Sequence, residues 1–424
     1  MMNFFSFISA AKEYKTVAVS TFYLSIIEGV RLLMPFIALP YIIGIVGAEN
    51  YGKVIFAQAV VSYFSVAVNF GLNVVAVKKI SENQHSPDKL NHIVNSLLLL
   101  RFFLFCICTG ILALLISYVP FLRQYSIILS FAFLTVIADV LAMTAFFQGI
   151  EKMQNITLLQ GIAVIFYLIT LFLCIKETSD YIYIPLLQSL GFIIAAIAGL
   201  VLLKVRFKIQ FFYPGWKNIF ALFKESFPFA TSRFSAILNS NIAKTLAGIT
   251  LGMQEVAILD IAQKIADAAL IPANVLDQSI YPYNVKTKDK KFATRTFWLM
   301  LIFALLCGLL MFIFTPIAVS FLGHGKLDEA IPLTQILCLK VICSIIVVYI
   351  GSPVLVAFGY PKPFNNSVIL SMFFGIFFYT ILYFTNSLSL MMFIFMIIAL
   401  EALVFIYRFY YCIKYRILFQ PNQK

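Results

Sequence analysis

Apolar runs of about 20 residues, separated by short polar stretches, recur along the whole chain, as membrane-spanning helices require. They predict spans at 16–40, 54–77, 94–118, 126–148, 157–175 and 181–203, then a basic connector over 204–225. A second set follows at 227–251, 256–280, 293–317, 329–352, 364–385 and 388–412. Residues 1–15, with Lys12 and Lys15, read as an amphipathic lead lying along the inner face. The expected fold is an all-α polytopic membrane protein, with about twelve transmembrane helices in two six-helix lobes around a central cavity. The N-terminal lobe is 1–203, the connector 204–225 and the C-terminal lobe 226–424.

One stretch, Pro35 to Asn73, organises the pattern. An apolar helix runs into Pro35 and Pro40, breaks around Gly44 and Gly47, and turns at Glu49-Asn50. It re-enters an apolar run carrying Gln58, Asn69 and Asn73. The second half echoes it: Gly47, Ala57 and Gln58 fall on Gly252, Ala262 and Gln263. Likewise Gly149-x-x-Lys152-x-x-Asn155 falls on Gly359-x-x-Lys362-x-x-Asn365, and the basic loop Lys78–Lys89 on Lys286–Arg295. Six helices repeated in one orientation imply a two-fold axis along the membrane normal.

Composition sharpens this picture. Of 424 residues, 62% are hydrophobic and only 12% charged, about half the charge that a soluble domain carries. The net charge of +13 could suggest nucleic acid, but its placement argues otherwise. Most Lys and Arg lie at the termini and in alternate loops, whereas Lys53, Arg123, Lys176 and Lys326 lie in the other set. That bias predicts both termini in the cytoplasm and no nucleic-acid partner. The seven cysteines sit in or beside apolar runs without zinc-ligand or redox spacing, so they read as packing residues.

Charged residues inside spans usually face a bundle interior or a water-filled cavity. Span seven aligns Arg233, Ser240 and Lys244 near one stripe, with Asn241 beside them. They read either as a cationic wall for an anionic substrate, or as a snorkelling arginine and a lysine paired to a nearby carboxylate. Span eight carries Asp260, Lys264 and Asp267 on one face. This is either part of the cavity, with Asp267 a proton site, or a structural ion-pair ladder. Glu28 and Arg31 pair on span one, and Arg101 lies near the inner end of span three, where it can snorkel. Asp139, Lys340 and Glu401 have no partner on their own helix, so each needs one on another helix or water in a cavity. Gln58 and Gln263 either bind sugar hydroxyls or join helices. No metal cluster, nucleophile–base pair, phosphate loop or dinucleotide fingerprint is visible, so no enzyme chemistry, metal or cofactor is expected.

At Pro40-Tyr-Ile-Ile-Gly-Ile-Val-Gly-Ala-Glu-Asn-Tyr51-Gly52 the chain resembles the O-antigen (Wzx-type) polysaccharide-repeat-unit flippases of the multidrug/oligosaccharidyl-lipid/polysaccharide exporter superfamily. Matching pieces follow in order: Asn69-Phe-Gly-Leu-Asn73, Phe147-Gln-Gly-Ile-Glu-Lys-Met153, Lys224-Glu-Ser-Phe-Pro-Phe229, Gly252-Met-Gln-Glu-Val256, Ala262-Gln-Lys-Ile265 and Ala357-Phe-Gly. The resemblance implies a MATE-like fold and movement of an undecaprenyl-pyrophosphate-linked oligosaccharide from the inner to the outer leaflet of the bacterial cytoplasmic membrane. It further implies alternating access, with H+ or Na+ as the coupling ion. Implied partners are the lipid-linked oligosaccharide, membrane lipids, a polysaccharide polymerase and a chain-length regulator. On this reading Arg31, Arg101, Arg233, Lys244, Lys264 and Lys340, with Gln58, Gln263 and Asn241, line the substrate cavity. Glu28, Asp139, Asp267 and Glu401 are the ion-coupling candidates.

Two other functions compete. A multidrug/cation antiporter of the same superfamily favours carboxylates, aromatics and Met in its cavity, and the in-span carboxylates here nearly balance the cations. A membrane glycosyltransferase or polymerase needs a large outer loop and catalytic groups, which the pattern lacks.

Overall fold

The structure is a computed structural model that describes the backbone of residues 4–419, and the side chains of 29, 34–277 and 279–419. Glu28 and Arg31, both expected at the site, lie outside the described side chains. Every regular element among the described residues is helical. The chain divides into two compact units: Met1–Ile45 with Val60–Phe234, and Val46–Ala59 with Ser235–Lys424.

The helix α1 (Phe4–Asn69), shared between the two units, holds the first expected span and most of the second, with Pro35 and Pro40 inside it and a break in helical geometry at Gly47. Gly47 takes φ 80°, ψ 168°, a region open essentially to glycine. The first unit continues with α2 (Leu72–Glu82), α3 (Pro87–Tyr118), the short α4 (Pro120–Arg123) and α5 (Ser126–Leu141). Then follow α6 (Thr144–Gly149), α7 (Met153–Cys174), a 3-10 turn at Thr178–Ile182 and α8 (Tyr183–Arg206), which packs on both α5 and α7. A buried core of Leu72, Val75, Ile80, Leu97, Phe146, Phe147 and Leu203 fills one end of this unit. The connector seals that end, because Phe207 packs edge-on against both Phe146 and Phe147.

The connector itself is pinned without a sheet. Asn91 and Asn95, one turn apart on α3, act as a stand-in for a neighbouring strand. Asn91 Oδ1 accepts from the Gln210 amide at 3.1 Å, and Asn95 Oδ1 accepts from the Phe212 amide at 3.1 Å. Asn95 Nδ2 donates to the Gln210 carbonyl at 2.7 Å. Extended backbone that would otherwise lack partners is thereby satisfied.

The helix α9 (Trp216–Thr250) leads into the second unit. There follow α10 (Met253–Ala269), α11 (Ile271–Thr287), α12 (Lys290–Leu322), α13 (Ala330–Ile336) and α14 (Cys338–Tyr349). A π-helical turn, Ile350–Val356, contains Pro353 and precedes α15 (Pro361–Phe384) and α16 (Leu390–Lys414). Val46–Ala59, placed by the sequence in the N-terminal lobe, packs with this second unit. Two contacts explain why. The Tyr51 hydroxyl bonds Asp260 of α10. Gly52 also lies so close to α10 that an added methyl would collide with the Met253 carbonyl oxygen.

Nine helical segments among the described residues are long and apolar enough to cross a membrane. All twelve expected spans nevertheless fall on helices. The first span and most of the second share α1, α10 and α11 are each only 17 residues long, and α9 carries many Ser, Asn and Thr besides Arg233 and Lys244. Outward faces are apolar: Phe103, Ile107, Ile111 and Leu114 on α3, and Trp298, Ile302, Leu305, Leu309 and Phe312 on α12, are all exposed. Water would not tolerate such stripes, but hydrocarbon does.

The internal repeat is visible in the backbone. Gly252, the counterpart of Gly47, takes φ 139°, ψ 176° and precedes α10 as Gly47 precedes the second arm of α1. The later echo is looser. Gly359 has φ 96°, whereas in the first half the positive φ falls on Glu151 rather than on Gly149.

Candidate functional site

Each unit encloses a polar cavity among its helices. The cavity of the first unit, about 370 Å³, is lined by Asn69, Asn73, Arg101, Thr135, Asp139 and Gln160 among apolar neighbours. Arg101 is its anchor and is only 1% exposed. Two helix breaks supply its partners. The interruption between α5 and α6 frees the Ala142 carbonyl, to which Arg101 Nη1 donates at 2.6 Å. The left-handed residues Phe70 and Gly71 turn the chain between Asn69 and Asn73, and both side chains accept from Arg101 Nη2, at 3.3 and 2.6 Å. Arg101 Nε has no hydrogen-bond partner. Of the two readings of Arg101, snorkelling and cavity lining, the second describes its placement, because a fork of acceptors holds the guanidinium inside. Asp139 accepts a hydrogen bond from Ser65 on the facing helix.

The cavity of the second unit, about 580 Å³, brings together Asn239, Ser240, Gln263, Asp267, Asp277, Lys340, Ser344, Ser371, Glu401 and Arg408. Lys340 Nζ on α14 donates to Asp267 Oδ1 on α10 at 2.8 Å. The lone lysine thus finds its partner on another helix. Asp267 itself remains 64% exposed, so the pair is open to a ligand. Arg408 on α16 is buried. Its Nε donates to Ser367 Oγ at 2.9 Å, its Nη1 donates to the Val347 carbonyl at 2.8 Å, and the guanidinium lies 4.4 Å from the Phe364 ring centroid. Asp277 Oδ1 is buried with no hydrogen-bond partner.

A third cluster is closed. Asp260, 3% exposed, accepts from Lys244 Nζ at 2.8 Å, from Lys264 and from Tyr51; Lys264 also donates to the Tyr51 hydroxyl at 2.8 Å. This realises the ion-pair alternative for Lys244 and Asp260. The three-residue set expected within α10 is divided, since Asp267 turns to Lys340 instead. A single carboxylate saturated by two ammonium groups and a phenol offsets much of its burial penalty.

The remaining expected residues are scattered. Arg233 is exposed on α9, and Asn241 is half-buried and donates to the Ile237 carbonyl of its own helix at 3.2 Å. Gln263 and Glu401 line the second cavity, while Gln58 sits half-buried in Val46–Ala59. Three participants were not singled out by the sequence: Tyr51, Asp277 and Arg408. Arg408 sits near the end of the last span and counts there as one more basic terminal residue. Only its contacts with Ser367 and Phe364 of α15, invisible in one dimension, mark it.

Apolar helices with ionisable side chains held in internal cavities define a polytopic helical membrane protein. More particularly, residues 17–288, more than half of the chain, match the polysaccharide biosynthesis protein family, and the chain belongs to that family. A Shigella dysenteriae protein named for O-antigen transport is 27% identical over 277 residues, which span 64% of this chain and 68% of the relative. An Escherichia coli (strain K12) protein of the same name is 24% identical over 268 residues, spanning 61% of this chain and 63% of the relative. Among solved structures, an inward-facing multidrug resistance MATE family transporter superposes with a TM-score of 0.72 at 12% identity, covering 91% of this chain and 94% of that one. The lipid II flippase MurJ, in an inward closed conformation, gives 0.69 at 12% identity, covering 94% and 88%. At such identities these two likenesses speak for the fold.

Proposed function

We propose that this protein is a flippase for a lipid-linked oligosaccharide. Its substrate is an undecaprenyl-pyrophosphate-linked repeat unit of O-antigen or a related surface polysaccharide, moved from the inner to the outer leaflet of the cytoplasmic membrane. The observation that carries this reading is Arg101, a cation held at full burial inside a membrane helix and surrounded by Asn, Thr and Gln side chains. A sugar–pyrophosphate head group cannot cross hydrocarbon bare, because each unpaired polar group costs several kcal/mol, of order 2–7. Amide and hydroxyl groups replace the hydration of sugar hydroxyls, and guanidinium or ammonium groups that of phosphate. The names of the two sequence relatives support the same substrate class.

In the proposed cycle the lipid tail stays in the bilayer while the head group passes by alternating access. Lys340, Arg101 and Arg408 supply positive potential. H+ or Na+ coupling falls to carboxylates that line the cavities, Asp139 in the first unit and Asp277 or Glu401 in the second. Both termini lie in the cytoplasm, and no covalent bond is made or broken. A polysaccharide polymerase and a chain-length regulator act downstream.

The test is the leaflet location of lipid-linked oligosaccharide in cells with and without the protein. Loss should trap the repeat unit on the cytoplasmic face and abolish the surface polymer. The carboxylates of the second cavity also suit a cation antiporter. If the intermediate still reaches the outer leaflet while sensitivity to cationic drugs rises, that reading replaces the flippase.

A further inference from the structure

A third cavity lies in the first unit, away from Arg101. It measures about 460 Å³ and is lined by Lys79, Glu82, Asn83, Lys89, His92, Ile93 and Asn218. It joins the basic loop between α2 and α3 to the start of α9, two regions that the charge pattern sets on one membrane face. Its charges are largely paired. Glu82, the acid in its lining, lies 3.9 Å from Lys78, and the lining Lys79 donates to Glu225, outside the lining, at 2.8 Å. Lys89 and His92 are exposed, and no carboxylate among the described residues pairs with Lys89.

Aromatic side chains lead from this cavity to the lipid-facing surface. The His92 ring meets Phe212 edge-on at 4.8 Å, and the asparagine-pinned backbone fixes Phe212 there. One residue further, Tyr213 packs on Trp216 at 6.4 Å, and Trp216 packs on Phe103 at 6.3 Å. Tyr213 and Trp216 are well exposed, and Phe103 belongs to the outward apolar stripe of α3. His92 and Phe103 are separated by about 16 Å of helix rise. That is the reach from the headgroup layer into the acyl chains.

We propose that this cavity binds the phosphate headgroup of an anionic membrane phospholipid, whose acyl chain runs along Trp216 and Phe103. Lys89, the lining lysine without a carboxylate partner among the described residues, supplies the charge complement. The exposed indole and phenol rings favour a lipid over a soluble anion, since they offer a soluble anion nothing and an acyl chain a wall. The site lies outside the two cavities assigned to transport, and it stands whatever the transported substrate is.

The chain has two tryptophans, so in a Trp298→Phe background Trp216 is the sole tryptophan, read by excitation at the red edge of the band, where tyrosine does not absorb. This protein is placed in phosphatidylcholine nanodiscs carrying a minor fraction of brominated phosphatidylglycerol or, in parallel, brominated phosphatidylcholine. Brominated phosphatidylglycerol should quench Trp216 more strongly. Lys89→Gln should lower that preference about fivefold, the effect of one lysine near an anionic surface. Lys89→Arg should keep it, and Lys290→Gln, a basic loop residue of the second unit, should leave it unchanged. Equal quenching by the two lipids, or a Lys89→Gln protein that keeps the full preference, overturns the proposal. Loss of the preference on adding inorganic pyrophosphate also overturns it, by assigning the cavity to soluble phosphate.

Discussion

Arg101 donates to the Ala142 carbonyl at 2.6 Å, so the guanidinium of one helix caps the broken end of another. The contact makes the residue both a packing element and the charged feature of its cavity. Arg101→Ala leaves the Ala142 carbonyl and two asparagines without their donor, and should destabilise the protein by about 3–5 kcal/mol. Arg101→Lys keeps the charge but reaches at most part of the fork, so it should lie between. Thermal unfolding in detergent, read alongside surface-polymer content in cells, checks both.

The closed cluster at Asp260 is a stability element. Asp260→Ala strands Lys244 and Lys264 together, and an unfolding shift of about 3–5 kcal/mol is expected. Tyr51→Phe removes a single hydroxyl and should cost about 1 kcal/mol. A Lys244→Met, Asp260→Leu, Lys264→Met protein should recover much of the loss in thermal unfolding, because no charge is then left unpaired.

Lys340 and Asp267 behave differently, because Asp267 is largely exposed. Lys340→Gln should change stability by no more than about 1 kcal/mol yet reduce repeat-unit export strongly. If adding Asp267→Asn restores export to the Lys340→Gln protein, Lys340 serves only to neutralise its partner. Continued loss in the double variant is the expected result, measured as the leaflet distribution of the lipid-linked intermediate.

The asparagine brace on the connector can be probed by protease. Asn95→Leu leaves the Phe212 amide and Gln210 carbonyl unpaired, about 1–3 kcal/mol per group. Cleavage within 207–213 should quicken in the detergent-solubilised variant, while Asn95→Gln should give an intermediate rate.

Much of this architecture is legible in one dimension, because hydrocarbon imposes a simple rule. Runs of about 20 apolar residues must be helices, so Pro87–Tyr118 and Lys290–Leu322 stand out at once. Local pairings are legible too: Asp260 and Lys264 are four apart, and they meet. What the pattern could not give is which helices face each other. Asp267 looks like the third member of its own helix's set, but its side chain meets a lysine 73 residues later. For Arg101 the sequence offers both a snorkelling cation near the end of its span and a cavity-lining one, and has no means to choose. The acceptors that hold it arise from helix breaks at 70–71 and 142–143, and nothing in its own neighbourhood announces them. Tyr51 read as part of a turn, and its bond to a residue 209 positions away has no local signature.

Gly47 and Gly252 adopt backbone angles that, mirrored, are ordinary extended conformations. Handedness is therefore the quantity under constraint at these two points. A D-alanine installed there would sit in a relaxed backbone, while the L-alanine that a ribosome could insert would be strained by about 1–3 kcal/mol. Glycine is the one achiral residue the genetic code offers. Each half of the chain therefore turns into its second helix at a point where translation has no alternative to lacking a side chain.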